Sequence, residues 1–247
     1  DLKKMFEQNT IDTSFLLQSA KRITTNKVRI IARNQQMMRL DHEITRDLGY
    51  EDENRLILAV QHYIAQEKPA VIILEDYNKG VLTELVIQKV IDLCRHNNII
   101  TAVDPKRKNF FSFKHVNIFK PNFKEATEGL NLIPAEINKA LLEEIHRQLH
   151  EKLEHDISFI TLSEKGVFYQ QQNDAAIIPS HIRNIADVSG AGDTVIAVAA
   201  LLYAATNNAK LMAEIANIAG GLVCEEVGTA AINKQKLLEE CKRLLAD

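Results

Sequence analysis

The chain has 247 residues, of which 46% are hydrophobic and 26% are charged, and its formal net charge is −3. This length and apolar content can bury the core of one large globular domain or of two small ones. The balanced charge argues against nucleic-acid and membrane partners, and no apolar run is long enough to span a bilayer. The three cysteines form no paired motif. We therefore expect a reduced, cytoplasmic protein without disulfides.

Hydrophobic periodicity divides the chain into short strands and helices. Acids followed by apolar residues at helical spacing predict a helix at 51–66, and the continuous apolar run at 70–76 predicts a buried parallel strand. In chain order the predicted elements are a helix end at 1–8, two or three strands within 14–43, a helix at 51–66, a strand at 70–76, a helix at 83–98, strands at 99–106 and 115–122, helices at 123–129 and 134–153, a strand that runs into a polar turn at 156–166, a hairpin of 166–171 with 175–179, and helices at 190–206, 209–225 and 234–246.

The alternation of strands and helices with short connections favours a layered α/β/α domain with a mostly parallel central sheet. Residues 51–247 would form this core, and residues 14–43 would form a small appended sheet. Ligands of such folds bind beyond the carboxyl ends of the strands, so the polar residues at those ends should converge on one rim. These residues are Glu75, Asp76, Asp104, Lys106, Lys120, Asn122 and the turn from Ser163 to Gly166.

The segment "NIADVSGAGDTVIAVAALL", residues 184–202, places very small residues directly before an apolar helix. A helix N-terminus leaves backbone N–H groups without partners, and small residues let an anion approach them. We therefore expect Gly190, Ala191 and Gly192 to form an anion-binding turn. Asp193 would then be a general base for a hydroxyl that attacks a phosphate. The alternative is that Asp193 only caps the helix.

This segment resembles the C-terminal Asp-Thr-x-Gly-Ala-Gly-Asp motif of the ribokinase-like, or pfkB, carbohydrate kinases. "KPNFKEA", "TLSEKGV" and "EEVGTAAI" resemble further motifs of that family in the same order. Within the family, "RIIARNQQMMRLD", "DYNKGVL" and "DPKRKNF" are similar to the kinase domains of ADP-heptose synthases. The resemblance implies a ribokinase-like fold and an ATP-dependent kinase. Its acceptor would be the anomeric hydroxyl of D-glycero-β-D-manno-heptose 7-phosphate, a lipopolysaccharide precursor.

Two parts of the family pattern are absent from the sequence. One is the N-terminal strand with a sugar-binding Asp and a Gly-Gly motif, and the other is the nucleotidyltransferase domain of the bifunctional form. We therefore expect residues 1–247 to be a single kinase domain that is incomplete at its N-terminus, with part of its sugar pocket missing.

The resemblance also implies roles for individual residues. Asp193 would be the base, and the backbone of Gly190, Ala191 and Gly192 would hold charge on the transferred phosphoryl group. Mg²⁺ would be held, largely through water, by Asn122 and Glu125, whose alternative role is a capping box. The implied ATP contacts are Thr161, Ser163, Glu164, Gly166, Asn217 and Gly228, with an ordinary turn or helix packing as the alternative. A K⁺ site is implied at Asp187, Ser189, Val223, Glu226 and Gly228, although Asp187 could equally only pin its loop.

A sugar phosphate needs cations and polar groups nearby. The candidates are Arg33, Asn34, Gln35, Arg39, Lys79 and Lys106, and the alternative for the cations is a solvated strand edge. Lys106, directly after a strand, is the preferred contact for the transferred phosphate. Kinases of this family often pair through the small β lid, so a homodimer through residues 14–43 is also expected.

Other functions stay open at this point. One alternative is a kinase that acts on ribose, fructose or a nucleoside, and another is a non-catalytic sensor of nucleotides or sugar phosphates. A dinucleotide-binding dehydrogenase is disfavoured because no GxGxxG follows the early strands. His146, His150 and His155 include one pair at a spacing that can bind zinc, but their charged surroundings favour a solvated helix face.

Overall fold

The computed structural model describes residues 2–32, 35–133, 136–181 and 183–245. The described chain forms two compact units. One contains the residues up to Lys68 together with Asn78–Val90, and the other contains Pro69–Tyr77 together with the residues from Ile91 onward. Within the described ranges, every helix is too short or too polar to cross a membrane.

The first unit carries a two-stranded antiparallel sheet. Its elements are α1 (Leu2–Gln8), β1 (Asn26–Ala32), β2 (Gln35–His42) and α2 (Tyr50–Glu67). Of the strands expected within residues 14–43, two are present. Val28 pairs with Leu40 and Ile30 with Met38, so these four side chains share one face of the sheet. All four are exposed, which leaves this face apolar and uncovered within the unit.

The second unit contains the central sheet and most of the helices. Helix α3 (Glu84–His96) crosses the boundary between the units. The elements of the second unit are β3 (Val71–Glu75), β4 (Ile100–Asp104), β5 (Ile118–Phe119), α4 (Phe123–Gly129), α5 (Lys139–Leu153), β6 (Ile157–Thr161), β7 (Val167–Gln171), β8 (Asp174–Ile178), α6 (Ala191–Thr206), α7 (Ala209–Val223) and α8 (Lys234–Leu244), with single 3-10 turns at Arg107–Asn109 and Ser163–Lys165.

Two predicted boundaries were wrong. Strand β5 is two residues long, because His115 adopts a left-handed backbone before it and Pro121 after it has no N–H to donate. Helix α5 begins at Lys139, later than predicted, because the side chain of Asn138 accepts a hydrogen bond from the N–H of Leu141 and sets the start.

The central sheet has the strand order β3-β4-β5-β6-β7-β8. Strands β3 to β6 are parallel, and β7 and β8 are antiparallel additions. Ile157 and Phe159 of β6 join the apolar cluster of α6 and α7, whereas Ser158 between them bonds to His146 of α5. Because alternate residues of a strand point to opposite faces, helices cover both faces of the sheet. The predicted layered, mostly parallel α/β/α fold is confirmed.

Helix α6 is apolar nearly all round and packs on β3, β4 and α7. Gly220 of α7 lies against it, where a Cβ would stand only 2.6 Å from Cγ2 of Val195. This close packing holds the N-terminus of α6 at the carboxyl ends of β3 and β4.

The prediction of a solvated histidine face holds for His150, which is exposed, but was wrong for His146 and His155. His155 is fully buried and His146 is nearly so, at 8% exposed. Nε2 of His155 and Nδ1 of His146 lie 2.6 and 2.8 Å from the same Ser158 Oγ. Burial lowers the pKa of His146 to about 4 and that of His155 to about 3, so both rings are neutral at physiological pH. These side chains belong to the packing between α5 and β6.

Candidate active site

The carboxyl ends of the parallel strands and the N-terminus of α6 enclose a cavity of about 220 Å³. It is lined by Asp76, Tyr77, Asp104, Lys106, Lys120, Asn122, Glu125, Thr161, Gly192 and Asp193. The predicted convergence of polar residues is therefore confirmed after β3, β4 and β5. After β6, Thr161 lines the cavity, whereas the turn from Ser163 to Gly166 lies outside the lining.

The start of α6 has an open N-terminus. Its N-cap is Gly190, which has a φ of 82° and offers no side chain to cap the helix. The N–H of Ala191 donates to the Val188 carbonyl at 3.3 Å. By helix geometry, the N–H groups of Gly192 and Asp193 have no acceptor within the helix. Gly192 and Asp193 both line the cavity, whereas the N–H of Ala191 is already engaged. Anion binding by the predicted turn of Gly190, Ala191 and Gly192 stays a prediction.

Asp193 is exposed in this cavity, in the first turn of α6. Its Oδ1 accepts a hydrogen bond of 2.8 Å from the hydroxyl of Tyr77, which follows β3. The N-cap of α6 receives no side-chain hydrogen bond, so the simple capping role is not what the structure shows. Partial burial, followed by the bond to Asp193, raises the pKa of Tyr77 above its ordinary value. Tyr77 therefore stays protonated as a donor.

Asp104, at the end of β4, lies between two lysines. Its Oδ1 is 2.8 Å from Nζ of Lys106, and its Oδ2 is 3.0 Å from Nζ of the buried Lys120. Lys106 also reaches Oε1 of Glu125 at 2.8 Å. Burial alone would lower the pKa of Lys106, but Asp104 and Glu125 together raise it. Lys106 thus stays protonated and supplies positive charge to the cavity, which Lys120 also lines.

Asn122 and Glu125 form a capping box at the start of α4. The Asn122 side chain accepts from the N–H of Glu125, and Glu125 Oε2 accepts from the N–H of Asn122, both at 2.8 Å. The alternative role predicted for this pair, a capping box, is therefore confirmed as local geometry. Both residues also line the cavity, and a carboxylate can accept several partners, so the pair remains fit to hold a hydrated cation.

Three carboxylates converge in the same place. Glu75, Asp104 and Asp193 offer oxygens that lie within 4.8 Å of one another. Burial, with the charges of Asp193 and Asp104, raises the pKa of Glu75 to about 7. Carboxylate oxygens are hard ligands of the kind that Mg²⁺ takes, so the cluster matches a cation in its donor chemistry.

The predicted ATP residues after β6 form a tight turn into the antiparallel strand β7. Gly166 has a φ of 96°, and a Cβ there would stand 2.0 Å from the Ile178 carbonyl oxygen, so only glycine fits. The carbonyl of Glu164 accepts a bond from the hydroxyl of Ser180. A contact of Ser163 or Glu164 with nucleotide stays a prediction.

The two other predicted nucleotide residues have structural partners. Asn217 is buried and donates to the Pro179 carbonyl at 2.9 Å. The N–H of Gly228 donates to Asp187 Oδ2 at 3.2 Å, while Asp187 Oδ1 accepts from the N–H of Ser189 at 2.9 Å. Asp187 thus pins two loops together, as the simpler reading predicts.

The remaining residues of the predicted K⁺ site differ in exposure. Val223 is buried near the end of α7, and Glu226 pairs with Lys236 at 3.3 Å. A cation at Asp187, Ser189, Val223, Glu226 and Gly228 remains a prediction.

The predicted sugar-phosphate contacts divide between the two units. Lys106 lines the cavity, whereas Lys79 belongs to the first unit and pairs there with Glu43. Arg39 pairs with Asp41 on β2. Gln35 begins β2, and the predicted contacts at Arg33 and Asn34 lie outside the described residues.

Sequence reasoning missed Tyr77. A signal was available, because Tyr77 directly follows the strand-end acids Glu75 and Asp76. Its partner Asp193 is 116 positions away, so only the tertiary structure reveals the contact.

A model of the family described as "pfkB family carbohydrate kinase" matches residues 1–236. The chain belongs to the pfkB family. The predicted enzyme class, an ATP-dependent carbohydrate kinase, is thereby confirmed, and the dehydrogenase alternative is excluded.

Curated relatives include a bifunctional protein HldE of Aliarcobacter butzleri, 36% identical over 239 residues, which are 97% of this chain and 49% of the relative. A bifunctional protein HldE of Methylobacillus flagellatus is 37% identical over 229 residues, 93% of this chain and 46% of the relative.

This pfkB chain therefore spans about half the length of the curated relatives that it matches. Among solved structures, the ribokinase of Giardia lamblia superposes with a TM-score of 0.76 at 16% identity, covering 98% of this chain and 78% of that one. The phosphofructokinase-2 of Escherichia coli in complex with potassium gives a TM-score of 0.73 at 13% identity, with coverages of 88% and 69%. At these identities the structures show a shared ribokinase-like fold.

Proposed function

We propose that the protein transfers the γ-phosphoryl group of ATP to the anomeric hydroxyl of D-glycero-β-D-manno-heptose 7-phosphate. The main support for a kinase site is the position of Asp193, which lies at an uncapped helix N-terminus in a cavity that is also lined by two lysines. The choice of acceptor is supported by the segments similar to ADP-heptose synthase kinase domains. The curated relatives match over nearly the whole chain, in agreement with that choice.

In this mechanism Asp193 takes the proton of the acceptor hydroxyl as its oxygen attacks the γ-phosphorus. The bond from that phosphorus to the bridging oxygen breaks, and ADP leaves with its electron pair. The N–H groups of Gly192 and Asp193 and the ammonium groups of Lys106 and Lys120 stabilise the negative charge of the transferred group. Lys106, Lys120, Gly192 and Asp193 all line the cavity, which supports this assignment.

Mg²⁺ would be held by Asn122 and Glu125, largely through water, and its chemistry is to neutralise charge on the ATP phosphates. Glu125 keeps a capping role while it does this, since its carboxylate can accept more than one partner. Calorimetry with a non-hydrolysable ATP analogue tests the assignment. Binding should be tighter with Mg²⁺ than without it, and equal affinity in both conditions would contradict the assignment.

We also propose a homodimer through the first unit. The β1–β2 face carries Val28, Ile30, Met38 and Leu40, which are 44–53% exposed. A two-stranded sheet is marginal alone in water and gains stability when such a face is covered. Ile30→Lys should shift the protein to a monomer in sedimentation measurements. An unchanged mass would argue for another assembly or none.

The decisive experiment for the function is an acceptor panel with the full-length protein. ADP release is followed with the heptose 7-phosphate, ribose, fructose 6-phosphate and adenosine as acceptors. We expect kcat/KM to favour the heptose phosphate by at least ~100-fold, since a site built around particular hydroxyls rejects analogues that leave its polar groups unpaired. A preference for ribose or a nucleoside would place the protein in another branch of the family. ATP binding without turnover on any acceptor would indicate a sensor.

A further inference from the structure

We propose that Tyr77 is a positioning residue that orients the carboxylate of Asp193 for proton transfer. This inference rests on the proposed function, in which Asp193 is the base. It concerns a residue that the family motifs quoted above do not assign to the reaction.

The first observation is the place of Tyr77 in the fold. Strand β3 ends at Glu75, and the N–H of Asp76 still donates to the Asp104 carbonyl at 3.1 Å, which holds the chain in register with β4. Tyr77 follows directly and lines the cavity. Its backbone is thus anchored to the central sheet, so its side chain extends from a rigid support.

The second observation is the bond itself. The Tyr77 hydroxyl donates to Oδ1 of Asp193 at 2.8 Å, which is a good distance for a phenol and a carboxylate. A carboxylate has two oxygens with about four acceptor positions. With Oδ1 held by Tyr77, Oδ2 remains to accept the proton of an attacking hydroxyl.

The third observation is the charge around Asp193. Glu75 and Asp104 bring carboxylate oxygens within 4.8 Å of it, and each of these groups repels the Asp193 carboxylate when it is ionised. Lys120 and Lys106 are held at Asp104. The Asp193 carboxylate accepts a hydrogen bond from the Tyr77 hydroxyl. A carboxylate on a first helical turn that is repelled by its neighbours needs such a donor to keep one orientation.

The test compares Tyr77→Phe with the matched variant Tyr169→Phe. Tyr169 donates to both oxygens of Asp174, at 3.0 and 3.1 Å, so the control removes a tyrosine–aspartate bond of the same chemistry away from the cavity. We expect Tyr77→Phe to lower kcat by ~10–100-fold, the loss of one hydrogen bond to a charged group. KM for ATP and for the acceptor should stay within about 2-fold, because a positioning role acts on the transition state. Tyr169→Phe should leave kcat near the wild-type value.

The double variant Tyr77→Phe/Asp193→Asn shows whether Tyr77 acts through Asp193. If it does, the double variant is no slower than Asp193→Asn alone. The proposal is overturned by an unchanged kcat in Tyr77→Phe, by a raised KM at constant kcat, or by a double variant much slower than Asp193→Asn. An active Asp193→Asn would instead refute the base, and with it both proposals. Thermal unfolding of each variant shows that the losses of kcat do not come from unfolding.

Discussion

Helices α4 and α6 begin at the same cavity, and each carries an acid at its third helical position. In α4 that acid is Glu125, which reaches back to the N–H of Asn122 and completes a capping box. In α6 it is Asp193, whose helix starts at a left-handed Gly190 with no capping side chain. Asp193 bonds to Tyr77 instead.

The difference shows how one sequence feature, an acid three residues after a helix start, serves two purposes. A capped N-terminus has its N–H groups satisfied, and its acid is engaged in local structure. An uncapped N-terminus keeps N–H groups and partial positive charge available to a ligand, and its acid remains available for chemistry. The structure thus separates a helix start with a capping box from one without a capping side chain.

The largest expected effect comes from breaking the chemistry at α6. Asp193→Asn keeps the side-chain shape but is a far weaker base, so kcat should fall by ~10²–10⁴. The melting temperature and the affinity for ATP should change little. Steady-state kinetics and thermal unfolding of the same preparations measure both quantities.

Asp193→Ala provides the second half of that test. If Asp193 only stabilised its helix, this variant would lose roughly 0.5–2 kcal/mol of stability while turnover per folded molecule survived. Near-wild-type turnover in both variants would show that Asp193 is not the base.

A smaller effect is expected from filling the open helix start. A Cβ on Gly192 would lie 3.8 Å from Oδ2 of Asp104 and 4.0 Å from Nζ of Lys120, which are ordinary contacts. Gly192→Ala should therefore fold normally and gain up to ~1 kcal/mol, because alanine is the better helix former. Its methyl group would occupy space next to the transferred phosphoryl group and displace that group by well under ~1 Å. Because a displacement of this size disturbs the reacting geometry, kcat should fall about 10-fold.

Gly220→Ala is the converse control. Its Cβ would meet Cγ2 of Val195 at 2.6 Å, within the packing of α6 on α7. We expect a loss of ~1–3 kcal/mol in stability and normal turnover per folded molecule. If Gly192→Ala lost stability and kept its activity, the assignment of the open helix start to the phosphoryl group would fail.

The capped helix start should respond in stability. Asn122→Ala removes the cap of α4 and should cost roughly 0.5–2 kcal/mol, as should Asn138→Ala, which removes the corresponding cap of α5. The two variants should differ in how strongly Mg²⁺ tightens ATP binding. Only Asn122→Ala should weaken this effect of Mg²⁺. Urea unfolding with calorimetry separates the two effects. An identical Mg²⁺ response in both variants would leave Asn122 with a capping role alone.

The smallest expected effect is on the pH dependence of stability, and it comes from Glu75. The pKa of Glu75 is raised from 4.5 in the unfolded chain to about 7. Between these pH values the folded protein keeps a proton that the unfolded chain has lost, so this group lowers stability as pH rises, with its full cost above pH 7. Glu75→Gln should therefore raise stability at pH 8 by about 1 kcal/mol, a value reduced for partial exposure, and should give no gain near pH 4.5. Thermal unfolding at the two pH values checks this, and an equal gain at both would point to packing.

The histidines show where sequence reasoning failed. His146 and His150 lie one turn apart in a charged helix, which is typical of a solvated face. His146 is nevertheless buried, because Ser158 of β6 offers it a partner across the layer, and His155 bonds to the same hydroxyl. Charge counted along a helix does not reveal which of its faces meets a sheet.

The sequence by itself determined the layered α/β fold, the family, and the place of the glycine-rich segment before α6. Hydrophobic periodicity, acids at strand ends and small residues before an apolar helix are local patterns. Such patterns can be recognised in the sequence without a structure. Tertiary structure alone decided that Asp104 lies between two lysines, that Lys79 pairs with Glu43, and that Asp193 bonds to Tyr77. Each of these pairs depends on how strand ends and helix starts are brought together, because a hydrogen bond or ion pair between distant residues leaves no periodicity in the chain.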